Sequence, residues 1–164
     1  MGIVLPVGDL SNDEDEYVKE WILDKFKVTG IVQLPSETFQ PWTGTQTCLL
    51  FAEPGKTTDV DYNIFMAQAE KVGKNQRGKD LYKRSETGSL ILDEDGNQIL
   101  DNDLIDIVQD YKLFLAGKKL KTNQSFVVSS KNLKNSLLPN YHNPKNSLLI
   151  QNTTKRKVTY EVLN

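Results

Sequence analysis

Nine residues, Ser36–Gly44, separate two runs with the composition of β-strands, Val28–Pro35 (VTGIVQLP) and Thr45–Pro54 (TQTCLLFAEP). Parallel neighbours need a crossover of about a dozen residues or more, usually a helix. Nine residues cannot supply one, so the two strands must run antiparallel. Upstream the pattern is different. Gly2–Pro6 (GIVLP) is a short apolar run suited to a strand buried on both faces. Ser11 and Glu14 have capping-box spacing, and the acids that follow crowd a helix N-terminus, where they favour the dipole. A helix is predicted over 13–26, with Val18, Trp21, Ile22 and Phe26 on one apolar face. Strand, helix and strand over the first 35 residues make the crossover pattern of a parallel α/β sheet. The first strand has nothing before it to pair with, so the expectation is a sheet cut from a longer one. An open strand edge of that kind invites pairing with a second copy of the chain, hence a homodimer or aggregation.

Further along, Tyr62–Gly73 is expected to begin as a strand. Lys74–Arg84 reads as a polar loop. Ser89–Leu100 reads as a hairpin turning at Asp95-Gly96. Asp93, Asp95 and Asn97 imitate the opening of a calcium loop, but the rest of that pattern is absent and the hairpin reading holds. The clearest helix is 101–119, with Leu104, Ile107, Val108, Tyr111 and Leu115 as its apolar stripe. Asp101 or Asn102 can cap its start, and Gly117 suits its end. Residues 125–133 (SFVVSSKNL) read as a strand and 137–149 as a Pro/Asn-rich connector. The final KRKVTYEVLN suits one more short strand.

The totals exclude several classes. No run of about 18 apolar residues is present, so no membrane span is expected. The first residues lack the basic and apolar regions of a secretory signal, and an intracellular protein fits. Cys48 is the only cysteine and lies in an apolar run, so an internal disulfide is excluded and a buried, inert thiol is expected. His142, in NYHNP, is the only histidine and reads as a surface or turn residue; no metal is expected. No Ser/His/Asp set, phosphate-binding P-loop or GxGxxG is present.

Charge is unevenly spread. Residues 117–164 carry nine Lys/Arg against one acid, whereas residues 1–116 carry eleven Lys/Arg against twenty-one acids. The basic third, including Lys155, Arg156 and Lys157, is either a solvated tail or a segment that lies near phosphates.

Phe39 and Trp42 flank Pro41 in the linker between the two strands. Loops of this kind carry function more often than cores do. Two readings stay open: one or both rings fold back over the sheet edge, or they form a platform for a planar ligand such as an unpaired base.

Taken in order, these residues resemble the C-terminal half of the catalytic domain of adenine-N6 DNA methyltransferases. The resemblance is to the methylase subunit of type I restriction–modification systems and its fused type II relatives. It rests on Leu5-Pro6, Gly8, Leu10, Trp21-Ile22-Leu23, Leu34-Pro35, Thr38-Phe39, Pro41-Trp42, Gly44, Thr47 and Leu49-Leu50-Phe51. Three later stretches extend it: NIFMAQAEKVGKNQRGKDLYKR, IVQDYKLF, and LLPNYHNPK, which is similar to the lead-in to a target-recognition domain. The sequence departs from the family pattern at Val7-Gly8-Asp9 and at Gln46.

The resemblance implies an α/β chain forming the C-terminal portion of a Rossmann-like methyltransferase sheet, with a helical and hairpin extension. Residues 1–58 would be the catalytic-domain part, 59–120 a strand, hairpin and helix extension, and 121–164 a basic connector toward target recognition. It implies methyl transfer from S-adenosylmethionine to adenine N6 in duplex DNA, with the target base flipped out of the stack. Phe39 matches the position of an aromatic residue that packs against the flipped base. Trp42 is a lesser candidate, and Thr43, Lys155, Arg156 and Lys157 are further DNA-side candidates. The family's cofactor glycine motif and its Asn-Pro-Pro-aromatic catalytic motif occur nowhere in the 164 residues. The chain by itself is therefore expected to hold no S-adenosylmethionine and no catalytic residue. Its implied partners are DNA, the missing N-terminal methyltransferase half, and specificity and restriction subunits or domains. Its implied place is the cytoplasm of a bacterium or archaeon. Two other readings remain: a non-catalytic DNA-binding or assembly module, and an unrelated small α/β protein with a packed aromatic loop.

Overall fold

A computed structural model describes residues 1–55, 61–134 and 136–146. Lys155, Arg156, Lys157 and the expected last strand lie outside the described residues. Five strands form one mixed sheet: β1 (Gly2–Pro6), β2 (Phe26–Leu34), β3 (Thr47–Pro54), β4 (Asn63–Gln68) and β5 (Ser125–Ser129). Their order is β1-β3-β2-β4-β5. β3 runs antiparallel to β2, as the nine-residue linker requires, and the pairing carries one irregularity at Val28/Gly30. β3 also pairs antiparallel with β1, through Gly2↔Phe51 to Pro6↔Thr47. β1 and β2 therefore run the same way with β3 inserted between them. β4 continues the parallel set beside β2, and β5 closes the far side antiparallel to β4. One sheet thus draws strands from both ends of the described chain.

Two helices cover opposite faces. α1 (Glu16–Lys25) follows two short 3-10 turns, Gly8–Leu10 and Asp13–Asp15. It ends where Phe26 turns to extended backbone and the strand-favouring run of β2 begins. α1 helps cover a core that includes Ile22, Val28, Ile31, Leu50, Ile64 and Met66. α2 (Leu104–Leu115) covers the other face, where Ile107 packs with Val32, Leu34, Phe65 and Ala67. Phe65 meets Tyr111 edge-on at 5.3 Å and Phe114 at 5.8 Å. Full burial of a ring such as Phe65 contributes roughly 1.5–3 kcal/mol. Cys48 is fully buried, and burial pushes its thiol pKa up to about 12, which leaves it unreactive. Among the described residues no helix is long and apolar enough to cross a membrane.

Five sequence expectations are corrected. β1 is not buried on both faces: it pairs only with β3 among the described strands, and Ile3 and Val4 are exposed. No capping box forms at α1. Ser11 Oγ donates to the Val7 carbonyl at 2.9 Å, and the helix starts only at Glu16. The buried side of α1 is centred on Ile22, with Val18 and Leu23 packed beside it; Trp21 is exposed and lies edge-on to Phe26, which belongs to β2. On α2, Val108 and Leu115 face outward, while Phe114 packs inward and Asp110 is fully buried. A stripe read at helical spacing has two admissible edges, and only the strands beneath decide between them. Finally, the α2 start is marked by Asp103 rather than Asp101 or Asn102. Asp103 does not cap its own helix but accepts the Glu70 and Lys71 amides, each at 2.8 Å.

Asp110 explains its own burial. Its carboxylate accepts the Lys121 amide at 2.7 Å, the Thr122 amide at 3.0 Å and the Thr122 hydroxyl at 2.6 Å. These bonds tie α2 to the turn that leads into β5.

Candidate functional site

The parallel strands β1, β2 and β4 end at the same level of the sheet. Pro6 and Leu34 both lie opposite Thr47, and Gln33 lies opposite Gln68. In open α/β sheets, ligands sit outside the carboxyl ends of parallel strands. The loop after β2 carries Phe39 and Trp42, so the two rings stand at that end.

Local bonds shape this loop. Ser36–Phe39 is a 3-10 turn that follows Pro35, and the Thr38 hydroxyl donates to the Pro35 carbonyl at 2.7 Å. The Phe39 carbonyl accepts the amides of Trp42 at 3.1 Å and Thr43 at 3.2 Å. The Gln40-Pro41 peptide bond is cis. The Thr43 hydroxyl accepts the Thr45 amide at 3.1 Å and lies 2.9 Å from the Thr45 hydroxyl. The Val7 amide donates to the Gln46 carbonyl at 2.9 Å, which joins the loop after β1 to the end of the aromatic loop. Neither ring folds back into the core: Phe39 is 39% exposed and Trp42 is 91% exposed.

A second element braces the loop. After β4 the chain makes a small column over 72–102, in which three four-residue turns, 75–78, 85–88 and 93–96, each end in a glycine with positive φ. Two closed rings of backbone hydrogen bonds hold it together. In one, Gly73, Leu81 and Asp101 bond to one another; in the other, Lys83, Ile91 and Ile99 do. The third turn is the expected hairpin at Asp95-Gly96. There Asp93 accepts the Asp95 and Asn97 amides at 3.0 and 2.8 Å, so its carboxylate serves the turn. In the first turn Asn75 plays the same part for the Arg77 and Lys79 amides. The expectation of a plain polar loop over 74–84 is corrected accordingly. Gly78 of this turn lies against the aromatic loop: a Cβ there would fall 2.5 Å from Pro41 Cδ and 2.8 Å from the Gln40 oxygen.

On the α1 side of the same sheet end, a pair of glutamines anchors the segment that follows β5. Gln33 is buried and its Oε1 accepts the Asn140 amide at 3.1 Å. Gln68 Oε1 accepts the Asn143 side-chain amide at 2.7 Å. The anchored segment contains the one-turn helix α3 (Pro139–His142). His142 lies in this turn and bonds through Nε2 to the Ser136 carbonyl at 2.8 Å. A cleft of about 360 Å³ separates this segment from the start of α1, lined by Leu10, Asn12, Asp15, Lys19 and Tyr141 among others.

The structure therefore brings Phe39, Trp42 and Thr43 together on one exposed loop. Sequence reasoning missed the brace at Gly78 and the glutamine pair. The repeated Asn/Ser/Asp-x-x-Gly spacing, three times within 75–96, was the available signal for the column.

A model of N-6 DNA methylases matches residues 1–136. The chain belongs to the N-6 DNA methylase family. Among solved structures, it is similar to a chain from a study of complex assembly and conformational transition in the type I R-M system. The two share 20% identity over 98% of this chain and 34% of that one, with a TM-score of 0.52. It is also similar to a modification subunit assigned to a type I restriction enzyme from Vibrio vulnificus YJ016. That match has 20% identity over 80% of this chain and 23% of the other, with a TM-score of 0.47. The chain thus spans no more than 34% of either solved relative, and at 20% identity the likeness to the first of them concerns the fold alone. No curated protein matches the chain.

Proposed function

We propose that this chain is the DNA-side portion of a site-specific adenine-N6 methyltransferase of a restriction–modification system. The observation that carries the reading is the braced, exposed pair Phe39 and Trp42 at the carboxyl ends of the parallel strands, in a chain of the N-6 DNA methylase family. In this reading Phe39 stacks on the flipped adenine and Trp42 lies beside it. Stacking of a base on an aromatic side chain contributes about 1–3 kcal/mol. Thr43, exposed next to Trp42, would meet the neighbouring DNA backbone, as would Lys155, Arg156 and Lys157.

In this reading the chain holds no S-adenosylmethionine site of its own, because its sequence carries neither the cofactor glycine motif nor the Asn-Pro-Pro-aromatic motif. The cofactor and the Asn-Pro-Pro-aromatic motif are therefore assigned to a complementary methyltransferase segment, and the chain alone is inactive. The open side of β1, with Ile3 and Val4 exposed, is where a Rossmann-like sheet would continue. The segment anchored by Gln33 and Gln68 would lead toward target recognition and the specificity and restriction components.

The test is reconstitution. This chain is mixed with a segment carrying the glycine and Asn-Pro-Pro-aromatic motifs, and transfer of labelled methyl groups to duplex adenine is counted. The reading expects activity only when both parts are present. Absence of any gain from adding the chain, with the partner segment folded, rejects it.

A further inference from the structure

The column over 72–102 is electrically divided. Residues 71–84 carry six Lys/Arg and one acid, Asp80, whereas residues 85–103 carry six acids and no Lys/Arg. The totals over the first 116 residues conceal this split. The basic part includes the turn that touches the aromatic loop, because Gly78, flanked by Arg77 and Lys79, lies against Gln40 and Pro41. Of the six cations, Lys71 is paired with Asp101 at 2.9 Å, Arg84 donates to the Gly88 carbonyl at 2.8 Å, and Lys83 is half-buried. Lys74, Arg77 and Lys79 are exposed, and no acid is within ion-pair distance of them among the described residues. In the acidic third turn a Cβ at Gly96 would meet nothing within 4 Å, so this turn does not share the contact that Gly78 makes.

We propose that the first turn of the column, through Lys74, Arg77 and Lys79, binds the DNA phosphate backbone beside the base held by the aromatic loop. This rests on the reading that the aromatic loop faces DNA. Phosphate contacts set the register of a protein on a duplex without reading its sequence. A turn braced on the loop that holds the base couples that register to the base pocket. The acidic 93–96 turn would be repelled by the same backbone, which disfavours orientations of the column that bring this turn against DNA.

The experiment uses this chain reconstituted with the complementary methyltransferase segment and a fluorescein-labelled duplex, with anisotropy read from about 50 to 200 mM salt. The double change Arg77→Gln/Lys79→Gln is expected to weaken binding to specific and non-specific duplexes alike. It should also reduce the slope of log K against log salt by about one for each phosphate that is no longer neutralised. Glu94→Gln/Asp95→Asn in the third turn is expected to leave the slope unchanged. Both pairs are exposed, and an unchanged thermal midpoint shows that each variant folds. An unmoved slope in Arg77→Gln/Lys79→Gln, with normal wild-type binding, overturns this role alone. A wild-type protein that binds no duplex overturns the methyltransferase reading and this role together.

Discussion

Gly78 and Pro41 are 37 positions apart in the sequence, and only the absence of a side chain at Gly78 lets them meet. A Cβ at 78 would sit 2.5 Å from Pro41 Cδ, and the glycine has φ of +72°. The contact joins the column to the loop that presents Phe39 and Trp42. It makes the position of two exposed rings depend on a turn that is remote in sequence.

Gly78→Ala is expected to destabilise the protein by more than Gly88→Ala. Gly88 also has positive φ, +86°, but nothing lies within 4 Å of a Cβ there. The Gly88 change therefore reports the backbone cost alone, about 1–2 kcal/mol. The Gly78 change adds displacement of Pro41. Urea unfolding of the two variants checks this, and equal losses would show that Pro41 does not rest on the turn.

Asp110→Ala is expected to cost about 3 kcal/mol, because the Lys121 and Thr122 amides lose a charged acceptor in a buried place. The carboxylate also gives a pH signature. Burial raises its pKa, but the bonds from the Thr122 hydroxyl and the Lys121 and Thr122 amides outweigh burial and hold it below the usual carboxylate range. A depressed folded pKa contributes stability above the unfolded value of about 3.9, and that contribution is lost as pH falls through the folded pKa. Stability measured from pH 7 down to pH 2 should therefore fall less steeply in Asp110→Asn than in wild type. Parallel curves would remove Asp110 from the account.

Val4→Lys is expected to suppress self-association of the isolated chain. Val4 is 47% exposed on a strand that pairs with β3 on one side only among the described strands. Charge at such an edge opposes pairing with another copy. Sedimentation velocity at several concentrations checks this; equal association of variant and wild type would place the contact elsewhere.

Much of the strand skeleton was legible because its causes are local. Loop length alone required β2 and β3 to be antiparallel, and Asp95-Gly96 marked a turn through glycine's freedom at positive φ. The insertion of β3 between β1 and β2 was not legible, because strand order is decided by distant partners. The same holds for Asp110, a charged residue on a helix whose burial depends on amides eleven and twelve positions later. Ser11 and Glu14 showed the limit of short motifs: the spacing was right, but the Val7 carbonyl captured the hydroxyl. At the site, the aromatic loop could be named from sequence, whereas its brace at Gly78 required the fold.

The central claim is that Phe39 meets a flipped adenine, and 2-aminopurine at the target position of the duplex tests it most directly. In the reconstituted enzyme, binding should raise 2-aminopurine fluorescence. Phe39→Ala should cut that rise while the variant still unfolds in a single cooperative transition, since Phe39 is a half-exposed loop residue outside both core clusters. A fluorescence rise in Phe39→Ala equal to that of wild type would contradict the account.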